Sequence, residues 1–168
     1  SSKTIYSVTK NHLKQEFNVH HQMLQVLTPS SQFNVLNIFG DLAIFNPPLS
    51  KYEIGIYIMQ SLPAPTLLGE IIQHGGKITP AIYEKLKTIP RVIANIQEHG
   101  YAHSDLHTGN ISFDPSDPDR PIVLDFGRTV NLTSTFHNVG ELATVRFFDY
   151  VNSLDCLVLN HKTYNDLL

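Results

Sequence analysis

The chain holds a single cysteine, Cys156, among 168 residues. One thiol cannot build an internal disulfide framework, and it leaves no Cys-x-x-Cys pair for a metal knuckle. No apolar run reaches the roughly 18 residues a membrane-spanning helix needs. From its opening residues no signal peptide is expected. Positive charge is not in excess: 12 Lys and Arg stand against 15 Asp and Glu, a formal net charge of −3. That argues against a strongly basic nucleic-acid binder. Internal repeats and low-complexity stretches are missing too. What is present is 42% hydrophobic residues, too many for a disordered chain, in a length that suits one domain. A chain of this size buries roughly 70% of its unfolded surface, so it can build a core without staples. A soluble protein of a reducing compartment is expected.

Residues 4–8 (Thr-Ile-Tyr-Ser-Val) read as a strand. With no partner before it, a further piece upstream is expected. Residues 11–27 turn helical, with Leu13, Phe17, Leu24 and Leu27 at 3–4 spacing, Asn11 as cap and Pro29 beyond the end. Residues 33–45 carry Gly40-Asp41 between two apolar runs, which predicts a hairpin turning there. Residues 52–59 read as a strand, with Ile54, Ile56 and Ile58 alternating against Glu53, Gly55 and Tyr57. Leu67–Gln73 is a short helix stopped by Gly75-Gly76.

The strongest helix spans residues 80–99. Thr79 caps it, Pro80 suits its first turn, and Ile82, Leu86, Ile89, Ile93 and Ile96 form one stripe. Pro90 inside it is expected to kink or split the helix, and Gly100 to end it. Short strands at 111–113 and 122–124 flank a polar turn at 114–119. Val139, Ala143, Phe147, Tyr150 and Leu154 mark a C-terminal helix. The class is α+β, with strands gathered early and helices late.

The chemistry concentrates in Tyr-Ala-His-Ser-Asp-Leu-His-Thr-Gly-Asn, residues 101–110, and in Asp125-Phe126-Gly127. Asp105, Asn110 five residues on, and Asp125 beyond a hairpin can converge on one cleft. Their oxygens suit Mg²⁺, which takes hard oxygen ligands. An aspartate beside a hydroxyl nucleophile can accept its proton during phosphoryl transfer. His99, His103 and His107 repeat every four residues, which on one helix would line a metal face. Gly100 and the turn-like 104–109 segment argue against such a helix, so a zinc site is not the reading. His20-His21 read as surface or satisfied core residues, and Cys156 as inert.

In this order the motifs resemble the protein-kinase-like superfamily. The segment from His103 to Asn110 resembles its catalytic loop, and Asp125-Phe126-Gly127 its metal-binding motif. Ile58-Met59-Gln60-Ser61-Leu62-Pro63 resembles the hinge that carries adenine, and the helix holding Glu16 the one whose Glu pairs with a strand lysine. The resemblance spans roughly residues 3–130. It implies an α+β, two-lobed, reduced kinase-like fold in one domain over 1–168. Residues 1–60 would form an N-lobe of sheet plus one helix, and 61–168 a mainly helical, truncated C-lobe.

It further implies ATP and Mg²⁺ as cofactors. Asp105 would be the catalytic base, and Asn110 and Asp125 the metal ligands. Lys3 would bind the α/β-phosphates, positioned by Glu16, with Lys10 as the rival lysine. Backbone groups of Gln60 and Leu62 would bond adenine beneath Met59 as gatekeeper, and His103 would brace the loop.

The sequence departs from that pattern in places. No G-x-G-x-x-G loop precedes Lys3, so a truncated or processed chain is expected, or phosphates covered in another way. Ser104 stands where the family carries Arg, which implies constitutive activity. His107 stands where eukaryotic-type members carry Lys. Little chain follows Asp125, and no Ala-Pro-Glu motif is present. This plan resembles the minimal effector kinases that bacteria secrete into host cytoplasm. The expected activity is transfer of the γ-phosphoryl group to a Ser/Thr hydroxyl of a protein, a host protein among the candidates. Monomeric behaviour is expected, with no nucleic-acid or membrane partner. The alternatives are a catalytically inactive binding module and a small-molecule kinase.

Overall fold

A computed structural model describes residues 10–26, 33–51, 53–133 and 139–158. The strand expected at residues 4–8, and Lys3 with it, lie outside the described residues. The class is α+β, as the sequence predicts. Strands are not gathered early, however: among the described residues they are interspersed with helices from β1 to β7.

Helix α1 (Lys10–Val26) buries His20 and Met23. Asn11 lies inside its first turn and so is not its cap. Strand β1 (Asn34–Val35) follows, then β2 (Ile38–Phe45) and β3 (Ile54–Met59). Strands β2 and β3 pair antiparallel, and β2 runs straight through Gly40-Asp41 with a bulge between Phe39 and Ala43. The hairpin expected at Gly40 is therefore a bulge, and the reversal falls between Phe45 and Ile54, where Ser50 N–H donates to Pro47 C=O at 3.1 Å. The ambiguity is physical. Gly40 has φ +74°, and both a hairpin turn and a glycine bulge ask for that conformation.

The alternation in β3 is real, but it is inverted from a simple apolar-inward strand. Gly55 and Tyr57 are half-buried, while Ile54, Ile56 and Ile58 are exposed, Ile58 at 64%. A Cβ at residue 55 would run into the Leu13 side chain of α1, which would have to move aside. Close approach of helix to strand thus favours glycine, and the isoleucines take the other face.

Helices α2 (Leu67–Gln73) and α3 (Pro80–Glu98) start where the sequence places them. Thr66 Oγ1 accepts from Gly69 N–H and Thr79 Oγ1 from Ile82 N–H, each at 3.2 Å, satisfying donors that helix starts leave open. Helix α3 continues unbroken through Pro90, so the expected split does not occur. Gly100 follows its C-cap at φ +85°. Ile82, Ile89, Val92, Ile93 and Ile96 of α3 are buried with Leu67, Phe113 and Phe126 in the core. Leu86, from the same expected stripe, packs partly buried at its margin.

Strands β5 (Ile111–Asp114) and β6 (Asp117–Val123) form a hairpin where one is expected, but Asp114 and Asp117–Asp119 of the expected polar turn belong to the strands. Strand β1 joins β6 in parallel, Asn34 opposite Ile122. Strand β4 (Tyr101–Ala102) pairs with β7 (Val130–Asn131). Helix α4 (Val139–Val158) packs against α3 and β4. Among the described residues no helix is long and apolar enough to cross a membrane.

Gly40→Ala is expected to cost about 1 kcal/mol through the left-handed backbone alone, since no atom lies within 4 Å of the added methyl. Urea unfolding checks this, and an unchanged midpoint would contradict it.

Candidate functional site

The segment between β4 and β5 is organised by His103, whose side chain is fully buried. Its Nε2 lies 2.9 Å from Leu124 C=O, and a carbonyl can only accept, so Nε2 carries the proton. Nδ1 is then the acceptor for Asp105 N–H at 3.3 Å. The His103 ring packs 5.4 Å from Phe126, and Phe126 packs 5.3 Å from His20. His20 Nε2 donates to Leu36 C=O at 2.8 Å. Burial pushes both imidazoles below their ordinary pKa, with the carbonyl bonds opposing it.

The backbone on either side of His103 is held by Asp149 of α4. This carboxylate is buried and accepts from His103 N–H at 3.3 Å and Ser104 N–H at 2.8 Å. Gln97 Nε2 donates to it at 3.3 Å. Thr129 Oγ1 donates to His103 C=O at 3.4 Å. Ser104 at φ +65° and Asp125 at φ +56° occupy the left-handed region without being glycine, the kind of local strain that persists only where surrounding bonds fix it.

That scaffold presents three expected residues together. Asn110 Nδ2 donates to Asp105 C=O at 2.9 Å, which fixes the amide orientation and leaves Oδ1 as its acceptor. Leu124 N–H donates to Asn110 C=O at 2.9 Å, tying the segment that ends in Asp125 to the same place. Asp125 Oδ1 accepts from Gly127 N–H at 3.1 Å. The Asp105 carboxylate, 28% exposed, faces Arg128 Nη1 at 3.6 Å.

Glu16 reaches the same region from α1. Its carboxylate lies beside Gly127, where an added Cβ would sit 3.5 Å from Oε2. Tyr57 OH donates to its Oε1 at 3.0 Å. Burial raises the Glu16 pKa, the tyrosine bond lowers it, and the charge of Asp125 raises it. The same burial, with the neighbouring carboxylate, raises the Tyr57 hydroxyl.

The expected adenine-binding residues lie at the end of β3. Gln60 N–H donates to Asn37 C=O at 2.7 Å, so only its carbonyl remains for a ligand. Its side-chain oxygen accepts from Asn37 Nδ2 at 3.2 Å. Met59 is exposed, not a core methionine. Leu62 is half-buried in the connection to α2. Lys3 lies outside the described residues, and Lys10 opens α1. His99 and His107 bond locally, to Asn95 C=O and Gly109 N–H. Among the described residues no cluster of three or more His, Cys, Asp or Glu is arranged to hold a metal. A recess at Pro48, Leu49, Ser50 and Lys51 contains none of these side chains.

Sequence reasoning missed Asp149 and Arg128. A carboxylate between Phe148 and Tyr150 was the available signal for the first: a charge among aromatic residues needs a buried partner. Arg128 follows the Asp-Phe-Gly motif directly and carried no spacing of its own. No protein-family model and no curated protein matches the chain.

Two outcomes are expected. Asp149→Ala strands two backbone N–H groups and should cost roughly 2–3 kcal/mol or more, with faster amide exchange at His103 and Ser104; unchanged exchange would contradict the clamp. The second outcome concerns acid. His20 and His103 have folded pKa values below the ordinary 6.5, so the unfolded chain binds more protons as pH falls. Their contribution is complete above pH 6.5 and is lost as pH falls through the folded values. Glu16, with its raised pKa, works the other way at lower pH. His20→Gln keeps a donor for Leu36 and removes the titration. Its melting temperature should fall less than wild type between about pH 7 and about pH 5; equal falls would contradict the assignment.

Proposed function

We propose that the chain is an ATP- and Mg²⁺-dependent phosphotransferase of reduced, two-lobed kinase-like plan, moving the γ-phosphoryl group to a Ser or Thr hydroxyl of a protein. The observation that carries this reading is Asn110. It bonds Asp105 through its side chain and Leu124 through its backbone, so one residue ties the candidate base to the candidate metal-binding segment.

The donor set fits Mg²⁺. Asn110 Oδ1 and the Asp125 carboxylate would hold it, a pair of protein oxygens of the kind Mg²⁺ takes alongside substrate phosphates. When bound it supplies charge neutralisation on the phosphates. Asp105 orients the acceptor hydroxyl and takes its proton as the new O–P bond forms and the bond to ADP breaks. Glu16 would position Lys3 against the α/β-phosphates. The Gln60 carbonyl and the Leu62 backbone would meet the adenine edge, next to Met59. His103 acts through the loop, by keeping Asp105 in place. Ser104, in place of a phosphate-reading arginine, supports activity that needs no prior phosphorylation.

A second reading, an inactive module that works by contact, draws on the guanidinium standing against Asp105. Thermal melting and labelled ATP separate the two. Mg-ATP should raise the melting temperature, and Asp125→Ala should abolish the rise. Asp105→Ala should keep the rise yet stop transfer of label to protein. No rise in the wild-type chain would favour the inactive module.

A further inference from the structure

The charge balance of the candidate site is uneven. The Asp125 and Glu16 carboxylates lie beside Gly127, and Asp105 faces the adjoining Arg128. A nucleotide triphosphate would add several more negative charges. His107 stands where the resemblance leads one to expect a loop lysine, and one of its ring nitrogens is spent inside the loop. Its Nδ1 accepts from Gly109 N–H at 3.0 Å and caps the 3₁₀ turn Thr108–Asn110.

Arg128 is placed differently. Its backbone is anchored, because the next residue, Thr129, is buried and donates N–H to Phe126 C=O at 3.1 Å and Oγ1 to His103 C=O. Its side chain is 73% exposed and meets Asp105 Oδ1 at 3.6 Å, longer than a hydrogen bond. An exposed pair of that length is weak and readily exchanged. The guanidinium fork has five N–H donors in one plane, a match for the paired oxygens of a phosphoryl group.

We propose that Arg128 grips the non-bridging oxygens of the transferring γ-phosphoryl group, with Asp105 steering the guanidinium into place. This rests on the phosphotransferase reading above. In the step, the acceptor oxygen forms its bond to phosphorus, the bond between phosphorus and the bridging oxygen breaks, and ADP leaves with that electron pair. The hydroxyl proton goes to Asp105. Arg128 changes no covalent bond. It neutralises charge on the oxygens in flight, and it keeps the negative phosphoryl group from being repelled by Asp105.

The test compares Mg-ATP with Mg-ADP, which differ by the group Arg128 is assigned to. Binding by calorimetry and turnover with a protein acceptor are measured for wild type, Arg128→Gln and Arg128→Lys. Arg128→Gln should weaken ATP about 3- to 10-fold, leave ADP unchanged, and lower kcat roughly 10-fold or more. Arg128→Lys should recover part of both losses, because it restores the charge without the fork. An unchanged ATP-to-ADP ratio with kcat within about twofold would overturn the assignment while leaving the phosphotransferase reading intact. Equal weakening of both nucleotides would also overturn it. If the wild-type chain binds neither nucleotide, the phosphotransferase reading falls, and this assignment with it.

Discussion

A buried, neutral imidazole is the fixed point of the candidate site. His103 spends both ring nitrogens on backbone groups, one on Leu124 C=O and one on Asp105 N–H. Its own amide goes to Asp149 and its carbonyl takes Thr129. Every polar atom of this residue is therefore bonded inside the protein, and its ring packs on Phe126. Burying an imidazole without those partners would be costly. With them, the residue joins the β4–β5 loop, the exit of β6 and helix α4 in one network, and a network of this kind rigidifies what it holds.

The rest of the site inherits that rigidity. Asp105 is set by the His103 ring, Asn110 by Asp105, and the segment leading to Asp125 by Asn110. The positive φ angles at Ser104 and Asp125 are held in place by these bonds. Glu16 arrives from α1, which packs closely on β3 at Gly55. The same packing turns Ile54, Ile56 and Ile58 outward, so the helix that brings Glu16 to Gly127 also leaves an apolar face on the β2–β3 ribbon.

Much of this was legible from local patterns. The α3 stripe, its Thr79 cap and the glycine after it are determined within about 20 residues of chain, where periodicity speaks directly. The short β5–β6 hairpin and the residues that converge near its base were legible too. What was hidden depends on distant partners or on degenerate signals. The parallel pairing of β1 with β6 joins residues that are far apart in sequence. Gly40 offers the same left-handed backbone to a turn and to a bulge. The two faces of β3 could not be told apart until α1 was seen against Gly55. Asp149 acts 45 residues away from Ser104, and no spacing rule reaches that far. Pro90 sits in α3 without breaking it, since tertiary packing on both sides outweighs one lost bond.

On this scaffold Asp105, Asn110 and Asp125 are proposed to form a single metal-nucleotide site. Amide NMR with Mn²⁺-ATP as a paramagnetic probe tests it without requiring turnover. The signals of Asn110, Asp125 and Gly127 should broaden first and together, while those of Gly40 in β2 and Glu53 just before β3 should persist. Sharp signals at Asn110 and Asp125 with the probe present, or broadening centred elsewhere, would contradict it.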